Sequence, residues 1–366
     1  MARYDSQDRR LVIGFAVLGL LSIGTIRSAT AKPPFIPAQG STSPANGDLN
    51  PYGLAIVPQG FPTGTLKPGQ LLVSNFNNSQ AGGNVQGEGT TIVTMDPHTA
   101  QQVGVFFQGT SPIGFTNALG IVKQGFVFAG SVFTTVAGSP AENGGLLVID
   151  HSGNLVKTIT TGTNGPWGLA IHTDAEDEGG SALLFISNVL DGTVTRIRVS
   201  FDGGGVNTVG SPTTIASGYA FGPDAAGLVV GPAGLVYDAK RDVLYVASED
   251  DDEIFAVAEA SEVSSSAGKG TSVFADATHL HGPLGLMIAP NGDFVTANAD
   301  PAAHVDPSQP SELVEFTAGG QFVRQFSIDP NTGSAFAILN MSSGDTDRFA
   351  YVDDFSSILN IVRLAR

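Results

Sequence analysis

At 366 residues, the chain is too long for one ordinary compact domain unless that domain is built from repeats. An apolar share of 42% excludes wholesale disorder, and 47 Gly and 21 Pro beside only 14% charged residues point to short strands joined by tight turns. A formal charge of −17 argues against any nucleic-acid partner, and the absence of cysteine excludes disulfides, thiolate metal sites, Cys nucleophiles and c-type haem attachment.

The first element is a targeting segment. "MARYDSQDRR" ends in two arginines, "LVIGFAVLGLLSIGTI" (11–26) is continuously apolar, and Ala29-x-Ala31 stands just before Lys32. This pattern predicts a secretory signal peptide over residues 1–31, hence a periplasmic or extracellular chain with no stable membrane insertion after cleavage. The alternative is an uncleaved anchor, although the apolar stretch falls short of the roughly 20 residues that a span requires. Four of the arginines but only two acidic residues lie in this segment, so the chain beyond it is more acidic still. Acidic surface keeps an exported β-protein soluble, and it also matches cationic ligands or divalent metals.

Beyond residue 45 one phrase keeps returning: "NPYGLAIV" (50–57), "TNALGIV" (116–122), "GPWGLAIH" (165–172), "GPAGLVYD" (231–238) and "HGPLGLMI" (281–288). A second strand follows each, and a sixth such strand appears near the end: "QLLVSNFNN", "FVFAGSV", "LLFISNVLDG", "VLYVASEDDDE", "DFVTANAD" and "RFAYVDDFSS". A third strand follows in all six units and a fourth in five. The pattern predicts an all-β fold, a six-bladed β-propeller of four-stranded antiparallel blades over 32–366. The blades are expected at about 50–110, 113–162, 164–217, 225–276, 281–329 and 330–366. The last unit has only three strands, so "KPPFIPAQG" (32–40) is expected to supply its fourth and close the ring, since an open edge invites aggregation. Gly in the phrase lets innermost strands crowd at the axis, and Pro, lacking a donor, suits a strand's first residue.

The Pro-x-Gly-Leu-Ala phrase followed by "LVSNFNN" resembles the NHL-type repeat of six-bladed propellers, a superfamily that also holds gluconolactonase-like proteins and streptogramin lyases. The resemblance covers about 45–366. It implies the propeller fold and leaves lactonases, lyases and pure binding scaffolds all open.

In such a blade the starts of the phrases and the ends of the second strands surround one mouth of the central channel. Asn50, Asn117, Asn164 and His281 lie near the phrase starts. Ser74-Asn75, Ala129-Gly130, Ser187-Asn188, Ser248-Glu249, Ala297-Asn298 and Asp353-Asp354 are taken as the second-strand ends. With Asp300 and His304, these residues make a candidate surface for a small molecule or protein. Amide and carboxylate oxygens without Lys or Arg also suit a divalent cation such as Ca²⁺. The resemblance implies an axial ion held by Asn75, Asn188, Glu249 and Asp354, but the carboxylate such propellers carry on the first inner strand is missing here. Asn and Asp at strand ends also bond neighbouring loop backbone, and that reading stands beside the metal. By resemblance His281 is the candidate catalytic base, with Asp300 or His304 to orient it. Long second-to-third connections in blades 1, 2 and 5 are expected to wall one side of this mouth. Two functions follow: a monomeric exported propeller that binds a ligand or partner without catalysis, and a metal-assisted hydrolase or lyase. No nucleophile–base pair is legible, which favours binding.

The signal-peptide reading is checked by intact mass: the exported protein is expected to begin at Lys32, and retention of residues 1–31 in a membrane fraction contradicts cleavage.

Overall fold

The computed structural model describes residues 35–79, 84–132, 134–136, 139–140, 144–173, 180–202, 204–224, 228–266, 268–298, 311–329, 335–342 and 348–363. All of them fall within one compact unit, Lys32–Arg366. Alternating apolar residues between Gly and Pro turns become six four-stranded antiparallel sheets in chain order. Blade 1 comprises Asp48–Ile56, Leu71–Asn78, Thr91–Met95 and Gln102–Gln108, and blade 2 Phe115–Val122, Phe126–Ser131, Gly145–Asp150 and Leu155–Ile159. Blade 3 comprises Pro166–His172, Ser181–Asn188, Thr193–Asp202 and Gly205–Ser217, and blade 4 Pro232–Asp238, Val243–Ser248, Glu253–Ala258 and Thr271–Phe274. Blade 5 is Pro283–Ile288, Phe294–Asn298, Ser311–Phe316 and Phe322–Asp329; blade 6 is Ala335–Asn340, Arg348–Asp353 and Ile358–Arg363. Each inner strand contacts the next, and that of blade 6 returns to that of blade 1.

The fourth strand of blade 6 comes from the other end of the chain. Phe35–Ser41 pairs antiparallel with Ile358–Arg363, Ser41 opposite Ile358 and Gln39 opposite Asn360. Gln39 Nε2 donates to Asn360 Oδ1 at 2.6 Å, and both the backbone N–H and the hydroxyl of Thr42 donate to Ser357 O. The expected closure is therefore present.

Apolar faces pack between blades. One buried cluster joins blades 1 and 2 around Leu72, Phe115 and Val127, and others join blades 2 and 3 around Phe128 and Leu184, and 3 and 4 around Phe185 and Leu244. Similar clusters hold blades 4 and 5 around Tyr245 and Phe294, and 5 and 6 around Val295 and Phe349. The closing interface, Val73 and Val93 against Val352 and Ile361, belongs to a larger cluster that continues into the axis.

At the axis the phrase glycines answer the packing problem. A Cβ on Gly168 would sit 1.9 Å from Ala233 O, one on Gly234 2.1 Å from Leu284 O, and one on Gly285 2.1 Å from Phe336 O. At these three junctions no side chain fits between a blade's inner strand and the next, while blades 2 and 6 admit the single methyl of Ala118 and Ala337. In three blades a hydroxyl bridges the junction. Ser74 Oγ accepts from Gly53 N and donates to Thr116 O, and Ser187 Oγ accepts from Gly168 N and donates to Ala233 O. Thr116 Oγ1 does the same between Ala118 N and Pro166 O.

Two short hairpins interrupt the repeat: Thr134–Val136 with Ser139–Pro140 inside blade 2, and Gly222–Asp224 with Leu228–Val230 ahead of blade 4. Among the described residues the only helical element is the 3₁₀ turn Glu249–Asp251, and no helix is long and apolar enough to cross a membrane.

Removing residues 32–45 is expected to lower the melting temperature and cause self-association. It strips the closing ladder, whose hydrogen bonds contribute about 1 kcal/mol each, and bares the Ile358–Arg363 edge. Calorimetry with light scattering checks this; an unchanged, monomeric melt contradicts the structural role of the closure.

Candidate functional site

The strand period of two sorts the inner-strand side chains into layers about 7 Å apart along the axis. The residue between Pro and Gly of the phrase is Tyr52, Asn117, Trp167, Ala233, Leu284 and Phe336 in blades 1 to 6. All but Asn117 are buried. Tyr52 lies stacked between Phe336, with ring centroids 3.7 Å apart, and Phe76, at 4.4 Å, and Trp167 meets Tyr52 and Phe76 edge-on at 5.8 and 5.6 Å. Leu228, Val229 and Val230 of the second hairpin join the same cluster. Aromatic stacking and the hairpin thus close the channel at the phrase end.

Below this floor the channel is open as a cavity of about 460 Å³. Its wall is two further layers. The phrase leucines form one: Leu54, Leu119, Leu169, Leu235, Leu286 and, in blade 6, Ile338. Two residues on come Ile56, Ile121, Ile171, Tyr237, Ile288 and Asn340 at the opposite mouth, where Ile56 is 37% exposed. No charged side chain lines the cavity among the described residues. Asn117 lines it from the floor layer.

The amides and acids expected to ring the phrase-end mouth divide into two sets, because strand register differs from the sequence alignment in three blades. Pro51 pairs with Asn75, Pro166 with Asn188, Pro232 with Ser248, Pro283 with Asn298 and Ala335 with Asp353. Ser131, Ser248 and Asp353 are therefore the counterparts of Asn75. Glu249 and Asp354 lie one position further, at the place of Phe76. A one-residue step turns a side chain to the other face of the strand.

The Asn75 set braces loops. Asn75 Nδ2 donates to Thr42 O and Thr91 Oγ1. Asn188 Oδ1 accepts from Asn164 N while its amide donates to Thr193 and Thr195, and Asn164 Nδ2 bonds Asp191. Asn298 Oδ1 accepts from His281 N, and its amide donates to His279 O. Asn50, at φ 61°, donates its N–H to Ser357 Oγ.

The Phe76 set faces the aromatic floor. Burial first, then the Asp354 carboxylate and then Glu249, push the Tyr52 phenol well above its usual range. Glu249 is itself buried, and its Oε2 has no hydrogen-bond partner. Burial, with Asp224 and Asp250 nearby, holds its carboxyl well above the ordinary range. Among the described residues no group of three or more His, Asp or Glu is arranged to hold a metal ion.

His281 is half-buried, and its Nε2 lies 3.3 Å from Thr278 O. The imidazole with a carboxylate partner is His279 instead: Nδ1 is 2.7 Å from Asp276 Oδ2, and the ring stacks on Phe322 of blade 5's outermost strand, far from the axis. Asp300 and His304 lie outside the described residues, as does most of the blade 5 connection. The acidic run Asp250-Asp251-Asp252 is structural: Asp251 accepts from Lys269, Ser248 and Ala220, and Asp252 accepts from Gly282 N.

What sequence reasoning missed is the channel wall. The signal was present in the phrase itself, where the residue after Gly, or after the Ala that replaces it in blades 2 and 6, is Leu or Ile in all six blades and the one two further on is Ile in four.

No protein-family model and no curated protein matches the sequence. Solved structures match in fold. A gluconolactonase of Xanthomonas campestris aligns with TM-score 0.53 at 13% identity, over 92% of this chain and 96% of that one. A luciferin-regenerating enzyme aligns with TM-score 0.51 at 11% identity, over 91% and 95%. Regucalcin, a calcium-binding protein of Agrobacterium tumefaciens, aligns with TM-score 0.50 at 10% identity, over 89% and 96%. At these identities the likeness establishes the shared six-bladed fold.

The raised Glu249 carboxyl makes stability depend on pH. The native state keeps a proton that the unfolded chain loses near the ordinary glutamate value of 4.5, so this group lowers stability as pH rises from there to its native value. Glu249→Gln, neutral throughout, is expected to melt progressively above wild type as pH rises through that window, with the difference smallest at lower pH. Thermal melts across pH check it; a difference independent of pH contradicts a protonated Glu249.

Proposed function

We propose that this chain is an exported, non-catalytic propeller that binds a small molecule in its central channel. The molecule enters by the mouth opposite the phrase ends. The observation that supports this reading is the channel itself: closed at one end by stacked aromatics, open at the other, and walled by aliphatic side chains with two amides. Cavities of this size and character commonly hold small ligands. It moves the binding surface from the mouth first expected to the far one, because Tyr52, Phe76 and Phe336 fill the axis at the phrase end.

A second reading, metal-assisted hydrolysis of a lactone, has one specific observation in its favour. The buried, unpartnered Oε2 of Glu249 and the nearby Asp354 act on the same phenol and offer oxygens that a divalent cation would satisfy. Of the other two expected ligands, Asn188 has both ends of its amide engaged within its blade, and Asn75 retains a free Oδ1. The donor set for an ion is therefore incomplete.

One melting-temperature screen separates the readings. Sugars, sugar lactones, alcohols and amino acids are tested against wild type and Ile56→Trp, which narrows the open mouth from a partly exposed position. Channel binding predicts at least one stabilising compound whose effect is lost in the variant. If no compound distinguishes the two proteins, the channel reading fails. If calcium raises the melting temperature of wild type but not of Glu249→Gln with Asp354→Asn, the second reading takes its place.

A further inference from the structure

Resting on that reading of the channel, we infer that its ligand is an uncharged aliphatic amphiphile: a slender hydrocarbon chain carrying one neutral hydrogen-bonding head, which enters head first and sets that head on Asn117. The wall selects the chain. Ten of the twelve side chains in the two lining layers are Leu or Ile, those of the deep layer largely packed between blades and those of the rim more open, and alkyl surface removed from water against them is favourable by about 25 cal/mol per Å². The floor selects the head. Asn117 is the one residue of its layer that lines the cavity, and among the described residues its side chain makes no hydrogen bond. A primary amide offers both a donor and an acceptor, which a hydroxyl or another amide can meet in both directions.

The orientation follows from where polar groups are already engaged. At the open mouth Asn340 Nδ2 donates to Ile288 O at 2.9 Å, and Tyr237 OH donates to Asp242 Oδ1 at 2.8 Å. Among the described polar side chains that line the channel, the deep amide is the one left to be satisfied. Charge is disfavoured throughout, because a carboxylate or ammonium carried into this channel loses its water and meets no opposite charge among the described lining residues. Bulk is disfavoured as well. The inner strands pair only on their outer side, so their other edge turns backbone N–H and C=O groups toward the channel. A slender chain can lie against the Leu and Ile side chains on one side of the bore and leave water on the backbone groups of the other, whereas a ligand that filled the bore would strip it.

The test is titration calorimetry of the full chain with n-octanol and, separately, sodium octanoate at neutral pH. These share a chain and differ in head charge. Wild type is expected to bind n-octanol at least tenfold more tightly than octanoate. Asn117→Leu is expected to weaken n-octanol about tenfold, as the loss of one or two buried hydrogen bonds implies, and Ile56→Trp to abolish binding. Circular dichroism confirms folding of each variant, and Ile171→Trp, on the same rim, replaces Ile56→Trp if that protein does not fold. Equal binding of octanoate, or n-octanol affinity unchanged in Asn117→Leu, overturns the inference. If n-octanol does not bind but a compound from the screen does, and the rim variant blocks it, the amphiphile falls while the channel reading stands. If nothing binds in a way the rim variant blocks, both fall.

Discussion

Six inner strands must meet at one axis, and the closeness of that meeting governs the rest of the molecule. In blades 3, 4 and 5 a carbonyl oxygen of the next blade lies about 2 Å from where a Cβ would stand on the phrase glycine. With nothing larger than a methyl admitted at the junction, Ser74, Thr116 and Ser187 pass hydrogen bonds from one inner strand to the next. The residue on either side of each glycine then faces the axis or its wall, and the repeat becomes a stack of layers. The aromatic floor and the aliphatic bore are consequences of the same spacing, read two residues apart.

The two ends of the channel are consequently different environments. At the phrase end, aromatic rings, an apolar hairpin strand and the buried Glu249 pack together with the half-buried Asp354 beside them, and both the phenol of Tyr52 and the carboxyl of Glu249 are pushed toward their neutral forms. At the far end the wall is neutral and accessible. One scaffold thus separates a structural, electrostatically tense pole from a permissive one.

Fold and closure were legible in the sequence because each rests on a local rule repeated along the chain. Pro-x-Gly-Leu marks an inner strand wherever it occurs, and a three-stranded final unit requires a strand from elsewhere. The polar site was less legible because it depends on register to a single residue. Asn75 and Glu249 both stand at the end of a second strand, but the bulge that follows the phrase Pro places Ser248, not Glu249, opposite Pro232. The first faces its own blade and the second faces the axis, and nothing in "VSNF" or "ASED" alone distinguishes them. The aromatic floor was harder still. Tyr52, Phe76, Trp167 and Phe336 come from three different blades, and only closure of the ring brings them into contact.

Closure also has a cost in time. The Gln39–Asn360 bond spans 321 residues of sequence, so the strand made among the first cannot find its partner until nearly the whole chain exists. Contacts of such separation slow folding, and until this one forms the outer edge of the last blade remains unpaired. Blades 1 to 5 can assemble by local hairpins in the order of synthesis. The ring, the aromatic floor and therefore the channel come into being together at the end, which makes the cavity a property of the closed ring and of no single blade.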